Sequence, residues 1–215
     1  MVKEDDTVID EICRKIALAS PSEATATEIA SYWGHVFGQS CFESAGATFR
    51  SQRELARLSL QSVLRHFEAD LDSDALSQIQ FEYWPRPTIF PESREVLARC
   101  TMPICLVSNI DNADLRLALN HNDLRFDWIV TSEDCRAYKP RGEMFKKALS
   151  LLDLSPGETL HVGDSFSSDV RGASTQGIPV LWINRRGKQV PTGEDRPDSA
   201  ADLRGLLRVL RVAGH

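Results

Sequence analysis

Three polar clusters, each after a short apolar run or on the turn that follows one, hold the residues able to do chemistry. Ser108 and Asn109 close the run Ile104–Val107. A hydroxyl and an amide there, with the N–H groups of the following turn, can donate hydrogen bonds to an anion; the alternative is ordinary loop capping. Lys139 stands extended before Pro140, where its ammonium can aim at a phosphate or a carboxylate, or simply face water. Gly163-Asp164-Ser165 ends the run Leu160–Val162, with Asp169 five positions beyond Asp164. Gly163 suits a sharp turn at a strand end. Asp164 and Asp169 can flank one oxygen-ligated cation, for which Mg²⁺ is the natural choice. Asp169 has a second reading, as an acidic residue complementing a helix N-terminus.

These clusters need elements to position them. Ile104–Val107, Trp128–Val130, Leu160–Val162 and Pro179–Ile183 read as strands, and helical apolar spacing fills the intervals between them. Strand–helix alternation implies a parallel sheet wrapped by helices, with ligands at the carboxyl ends of the strands. Before Pro85 the pattern is helical throughout: Ile9, Ile12, Cys13 and Ile16 share one face, and Leu60, Val63, Leu64, Phe67 and Leu71 share another. Asn184–Ala200 mixes Gly, Pro and charge and reads as a loop. Leu203, Leu206, Leu207 and Leu210 mark a last amphipathic helix.

Composition narrows the class. The 215 residues carry 25 Lys and Arg against 31 Asp and Glu, a net charge of −6. That balance gives no global attraction to nucleic acid or to an anionic membrane surface. No apolar run approaches the roughly 20 residues of a spanning helix, and no basic segment followed by an apolar stretch marks a secretory signal. The five cysteines, an odd number with no C-x-x-C pair, fit free thiols in a reducing cytoplasm.

Taken together, Leu-Val-Ser-Asn-Ile-Asp (106–111), Tyr-Lys-Pro (138–140) and Gly-Asp-Ser-Phe-Ser-Ser-Asp-Val-Arg-Gly-Ala (163–173) resemble the second, third and fourth motifs of the haloacid dehalogenase-like hydrolases, mostly Mg²⁺-dependent phosphatases. The continuation Gly177–Arg185 is similar to theirs as well. The resemblance implies an α/β fold: a Rossmann-like parallel core over residues 89–215 and an α-helical cap over residues 1–88. It implies that Ser108 and Asn109 bind phosphoryl oxygens and that Lys139 is the catalytic cation, also touching phosphate. It implies that Asp164 and Asp169 hold Mg²⁺, and that the ligand is a small phosphorylated molecule.

The family's first motif, a nucleophilic Asp-x-Asp after a buried apolar strand, has no counterpart here. Asp5 and Asp6 follow only Met1–Glu4, which is no buried strand. Asp70-Leu71-Asp72-Ser73-Asp74 follows a helical stretch and reads as a polar loop. The chain is therefore expected to start just after the nucleophile, and to be inactive by itself. Three readings follow. One is a phosphatase whose nucleophile lies outside the given residues. Another is a non-catalytic binding or regulatory protein on the same fold, and the third is a metal-free dehalogenase.

Overall fold

The structure, a computed structural model, describes residues 1–3 and 5–213, with side-chain burial described through residue 210. Four helices come first: α1 (Asp6–Ala19), α2 (Ala26–Glu43), α3 (Gln52–His66) and α4 (Ser73–Tyr83). Local sequence sets their starts. Thr25 and Glu28 form a reciprocal capping box on α2, Ser51 accepts from the Glu54 N–H at the start of α3, and Asp72 caps α4. Their apolar faces meet in one core of Ile12, Cys13, Ile16, Ile29, Trp33, Leu60, Val63, Leu64 and Leu76. The Trp33 indole N–H donates to the buried Ser59 hydroxyl at 2.9 Å, so the buried indole is satisfied.

An antiparallel contact between Val2 and Ile89 leads out of this layer. The Lys3 N–H donates to the Thr88 carbonyl at 2.7 Å and the Phe90 N–H to the Met1 carbonyl at 3.0 Å. Next come α5 (Pro91–Arg99), β1 (Cys105–Ser108), α6 (Asn112–His121), β2 (Trp128–Thr131), α7 (Ser132–Cys135) and α8 (Glu143–Leu152). The chain continues through β3 (His161–Gly163), a π-turn at Phe166–Val170, α9 (Arg171–Ser174), β4 (Val180–Ile183), β5 (Asp198–Ala200) and α10 (Arg204–Ala213). All strand pairings in these sheets are parallel.

The sheet differs from the expected single one. Among the described residues, β1 pairs with β2 and β3–β4–β5 forms a separate sheet. β1 and β3 each have one hydrogen-bonded neighbour, and every residue of both is half-buried, whereas β4, paired on both sides, is fully buried. Helix α8 spans the two sheets, with Met144 in the cluster around Val130 and Phe145 in the cluster around Trp182. β5 lies inside the stretch read as a loop. Its three residues are mostly exposed and carry no apolar pattern, because β5 rides on the edge of β4.

The helical layer and the α/β part meet at the N-terminus of α3. The Asp111 carboxylate, just after β1, accepts from the N–H groups of Gln52 at 2.7 Å and Arg53 at 3.1 Å. It thereby caps a helix other than the one it precedes. The Arg53 guanidinium binds both oxygens of Asp114, at 2.7 and 2.5 Å, and lies over the Phe81 ring. None of the described helices is long and apolar enough to cross a membrane, and all five cysteines are free thiols.

Replacing Asp114 (2% exposed) by Ala strands one side of a pair whose Arg53 partner is 38% exposed. Water recovers part of the arginine's solvation, so the expected loss is about 2 kcal/mol rather than the roughly 3–5 of a fully buried pair. Asp111→Ala removes a helix cap, expected to cost about 1 kcal/mol. Urea denaturation of the single variants measures both.

Candidate active site

Lys139 is the hub of the strand-end crevice. Its ammonium donates to the Val107 carbonyl of β1 at 3.1 Å and to Oδ1 of Asp169 at 2.7 Å. Its main chain is held by one side chain: Asn109 Oδ1 accepts from the Lys139 N–H at 2.8 Å, and Asn109 Nδ2 donates to the Lys139 carbonyl at 3.2 Å. The end of β1 thus grips both ends of the lysine, with Ser108 between the two gripping residues. The Lys139–Pro140 peptide is cis. Pro140 does not open the next helix; α8 begins three residues later at Glu143.

Asp169 is the deepest charge in the crevice, its side chain 6% exposed. Oδ1 meets Lys139 and, at 3.0 Å, His161 Nε2; Oδ2 accepts from the Ser165 N–H at 3.0 Å. Burial alone would raise this carboxyl's pKa. The Lys139 ammonium and the His161 hydrogen bond together outweigh that and hold it well below the ordinary carboxylate range. Gly163 is what lets the carboxylate sit there. A Cβ on Gly163 would lie 2.3 Å from the Asp169 Cγ. Gly163 has no positive φ, so close approach, not a sharp turn, is its role.

The structure therefore redistributes the expected duties. Ser108, Lys139 and Asp169 converge at the ends of β1 and β3, and Asp164 joins them through its neighbour Ser165. Asn109 is a positioning residue, its amide taken up by the Lys139 main chain. Asp169, expected as a cation ligand, has both oxygens engaged by Lys139, His161 and Ser165. Among the described residues no group of three or more His, Cys, Asp or Glu is placed to hold a metal. Asp164 is different: its carboxylate is exposed, and no hydrogen bond or ion pair among the described residues uses it. Mg²⁺ accepts a single protein carboxylate where phosphate oxygens and waters complete its octahedron. Asp164 fits that share, and Asp169 does not.

His161 is the residue that sequence reasoning passed over. It opens β3 and braces Asp169 while its ring packs edge-on against Phe145. Its position in the same strand-end motif was visible, but its partner was not. Asp5, Asp6 and Asp10 have partners of their own. Asp5 accepts from Gln80 and from Trp84, both at 2.9 Å. Asp6 pairs with Arg186, and Asp10 with Arg14 at 2.7 Å.

The sequence and the fold have known counterparts. A family model described as haloacid dehalogenase-like hydrolase matches residues 6–177. The (S)-2-haloacid dehalogenase of Pseudomonas sp. (strain YL) is 27% identical over 160 residues, 72% of this chain and 68% of that protein. The glyceraldehyde 3-phosphate phosphatase of Methanopyrus kandleri is 35% identical over 102 residues, 45% of this chain and 42% of that protein. The match to the phosphatase thus spans less than half of its length. The L-2-haloacid dehalogenase structure from Xanthobacter autotrophicus superimposes with a TM-score of 0.74 at 18% identity, covering 95% of this chain and 93% of that one.

The depressed Asp169 carboxyl has a stability signature. Because its folded pKa lies below the unfolded value near 3.9, its contribution is complete above about pH 4 and erodes as pH falls toward the folded pKa. Asp169→Asn leaves the Lys139 ammonium buried without a counter-charge, expected to cost about 3 kcal/mol at pH 7. The gap between variant and wild type should narrow as pH drops below 4. Denaturant titrations at pH 7 and pH 3 read it, and a gap that does not narrow would contradict the assignment.

Proposed function

The chain belongs to the haloacid dehalogenase-like hydrolase family, and within it we propose that these residues form the anion-binding, charge-stabilising part of a phosphoryl-group hydrolase acting on a small phosphorylated molecule. One observation carries the reading: Asp164 is an exposed carboxylate, in no hydrogen bond or ion pair among the described residues, beside Ser165, which touches Asp169 of the lysine pair. A lone carboxylate repels an anionic substrate, and a divalent cation reverses that sign. Bound at Asp164, Mg²⁺ would neutralise charge on the phosphoryl oxygens. Lys139 and the Ser108 hydroxyl would donate to phosphoryl oxygens. Asp169, braced by His161, keeps Lys139 aimed. Electrostatic clamping of this kind is the larger part of what phosphoryl transfer requires. The helices of residues 1–88 act as the cap over this crevice.

The dehalogenase reading is favoured by the long match to (S)-2-haloacid dehalogenase. The two differ in metal dependence.

Calorimetry with orthophosphate tests the proposal. Binding should need Mg²⁺, weaken at least tenfold in Lys139→Ala, and lose its Mg²⁺ dependence in Asp164→Asn. Metal-independent binding would overturn the phosphoryl reading, and halide release from (S)-2-chloropropionate would establish the other. Turnover of a phosphomonoester by residues 1–215 alone should be unmeasurable. Among the described residues Asp169 is the one carboxylate that meets Lys139, and it is committed to the pair. Without a nucleophile the uncatalysed reaction is among the slowest known. Mg²⁺-dependent turnover abolished by Lys139→Ala would refute that.

A further inference from the structure

We propose that Lys188, on the loop after β4, receives a second anionic group of the substrate, a carboxylate lying close to the phosphoryl group. The inference rests on the phosphoryl reading of the crevice. In the parallel pairing of β3 with β4, Gly163 stands opposite Trp182. Asp164 and the residues after Ile183 therefore emerge side by side at the same end of the sheet. The Trp182 indole N–H fastens this edge by donating to the Asp164 carbonyl at 3.1 Å.

Between them lies a recess of about 40 Å³ whose lining includes Asp164, Arg185, Arg186, Lys188, Phe90 and Ile183. The three cations are not equivalent. Arg185 is bound to Glu92 at 2.6 Å and lies 3.6 Å from the centre of the Phe90 ring. Arg186 is paired with Asp6. Lys188 forms no ion pair among the described residues, although it lines the same recess.

The loop that carries Lys188 is already shaped. Asn184 Nδ2 donates to the Lys188 carbonyl at 2.9 Å, and Asn184 Oδ1 accepts from the Lys188 N–H at 2.8 Å. Gly187 supplies the left-handed residue of the turn, with φ at +61°. This ring uses main-chain atoms of residue 188 only, so the side chain is free to bind and can be replaced without opening the loop. A preshaped loop holding an unpaired ammonium beside the phosphoryl site is a specificity element: it favours ligands with two negative groups over those with one.

Hydrolysis-inert probes test this at low ionic strength with Mg²⁺ present. Methylphosphonate reports on the phosphoryl site alone; phosphonoacetate and 3-phosphonopropionate add a carboxylate at two spacings. At least one of the carboxylated probes should bind wild type about tenfold more tightly than methylphosphonate. Lys188→Ala should erase that preference, Lys188→Arg should restore it, and Lys188→Glu should invert it. Equal affinity for all three probes in wild type, or a preference that survives Lys188→Ala, would overturn the inference while leaving the phosphoryl reading intact. Failure of wild type to bind methylphosphonate at all would overturn the phosphoryl reading, and the role of Lys188 with it.

Discussion

The ion pair between Lys139 and Asp169, 2.7 Å long and nearly dry, sets how the two sheets stand to each other. β1 and β3 share no ladder. Apolar contact through α8 holds the sheets on one side, and the lysine joins them at the strand ends through Val107 of one and Asp169 beside the other. Burying both charges costs several kcal/mol each, a cost that their attraction offsets only when further hydrogen bonds complete the site. Asp169 has such bonds from His161 and Ser165, and Lys139 has one to Val107. What the arrangement confers is a defined position for one ammonium more than net stability.

That position is enforced from outside the α/β part as well. The segment leading to Lys139 is stitched to the helical layer. The Gly46 N–H donates to the Arg136 carbonyl at 2.9 Å, Arg136 Nε donates to the Gly46 carbonyl at 2.7 Å, and the buried Tyr138 hydroxyl donates to the Arg50 carbonyl at 2.9 Å. A few residues on, Gln52 and Arg53 hold Asp111, two residues past Asn109. One stretch, residues 45–53, therefore anchors both loops that grip the lysine. A displacement of that stretch is transmitted to Lys139 through short hydrogen bonds rather than through flexible chain.

The alternation of strand and helix was legible because each strand is a short apolar run ended by polar residues, and the residues at those ends are the ones that converge. Three features were not. β5 has two polar residues and one alanine on a sheet edge, so no apolar run betrays it. The spacing of Asp164 and Asp169 marked both as acidic groups near one point, but a spacing cannot say what stands opposite each carboxylate. Asp169 faces Lys139 and His161, whereas the Asp164 side chain is in no hydrogen bond or ion pair among the described residues and has the Met1 α-ammonium among its electrostatic neighbours. Gly163 invited a turn argument from its place after a strand, yet the reason for glycine lies in a contact six residues away. Local pattern carried the scaffold, and the division of labour among the charges waited on the tertiary contacts.

Charge and donor bookkeeping then define what the crevice can accept. An ammonium has three donors. Two of those on Lys139 are committed, to Val107 and Asp169, which leaves one for a ligand oxygen without breaking the pair. Lys139 and Asp169 cancel, which leaves the Asp164 carboxylate with the Met1 α-ammonium and the Lys188 ammonium as the charges beside it. On the proposed reading, a divalent cation at Asp164 would add positive charge where a phosphoryl group is to bind, and the remaining lysine donor and the Ser108 hydroxyl would then address different oxygens of that group. A planar carboxylate monoanion needs less charge and fewer donors than this, and gains nothing from Asp164. The free aspartate is thus the residue whose presence one reading uses and the other must tolerate.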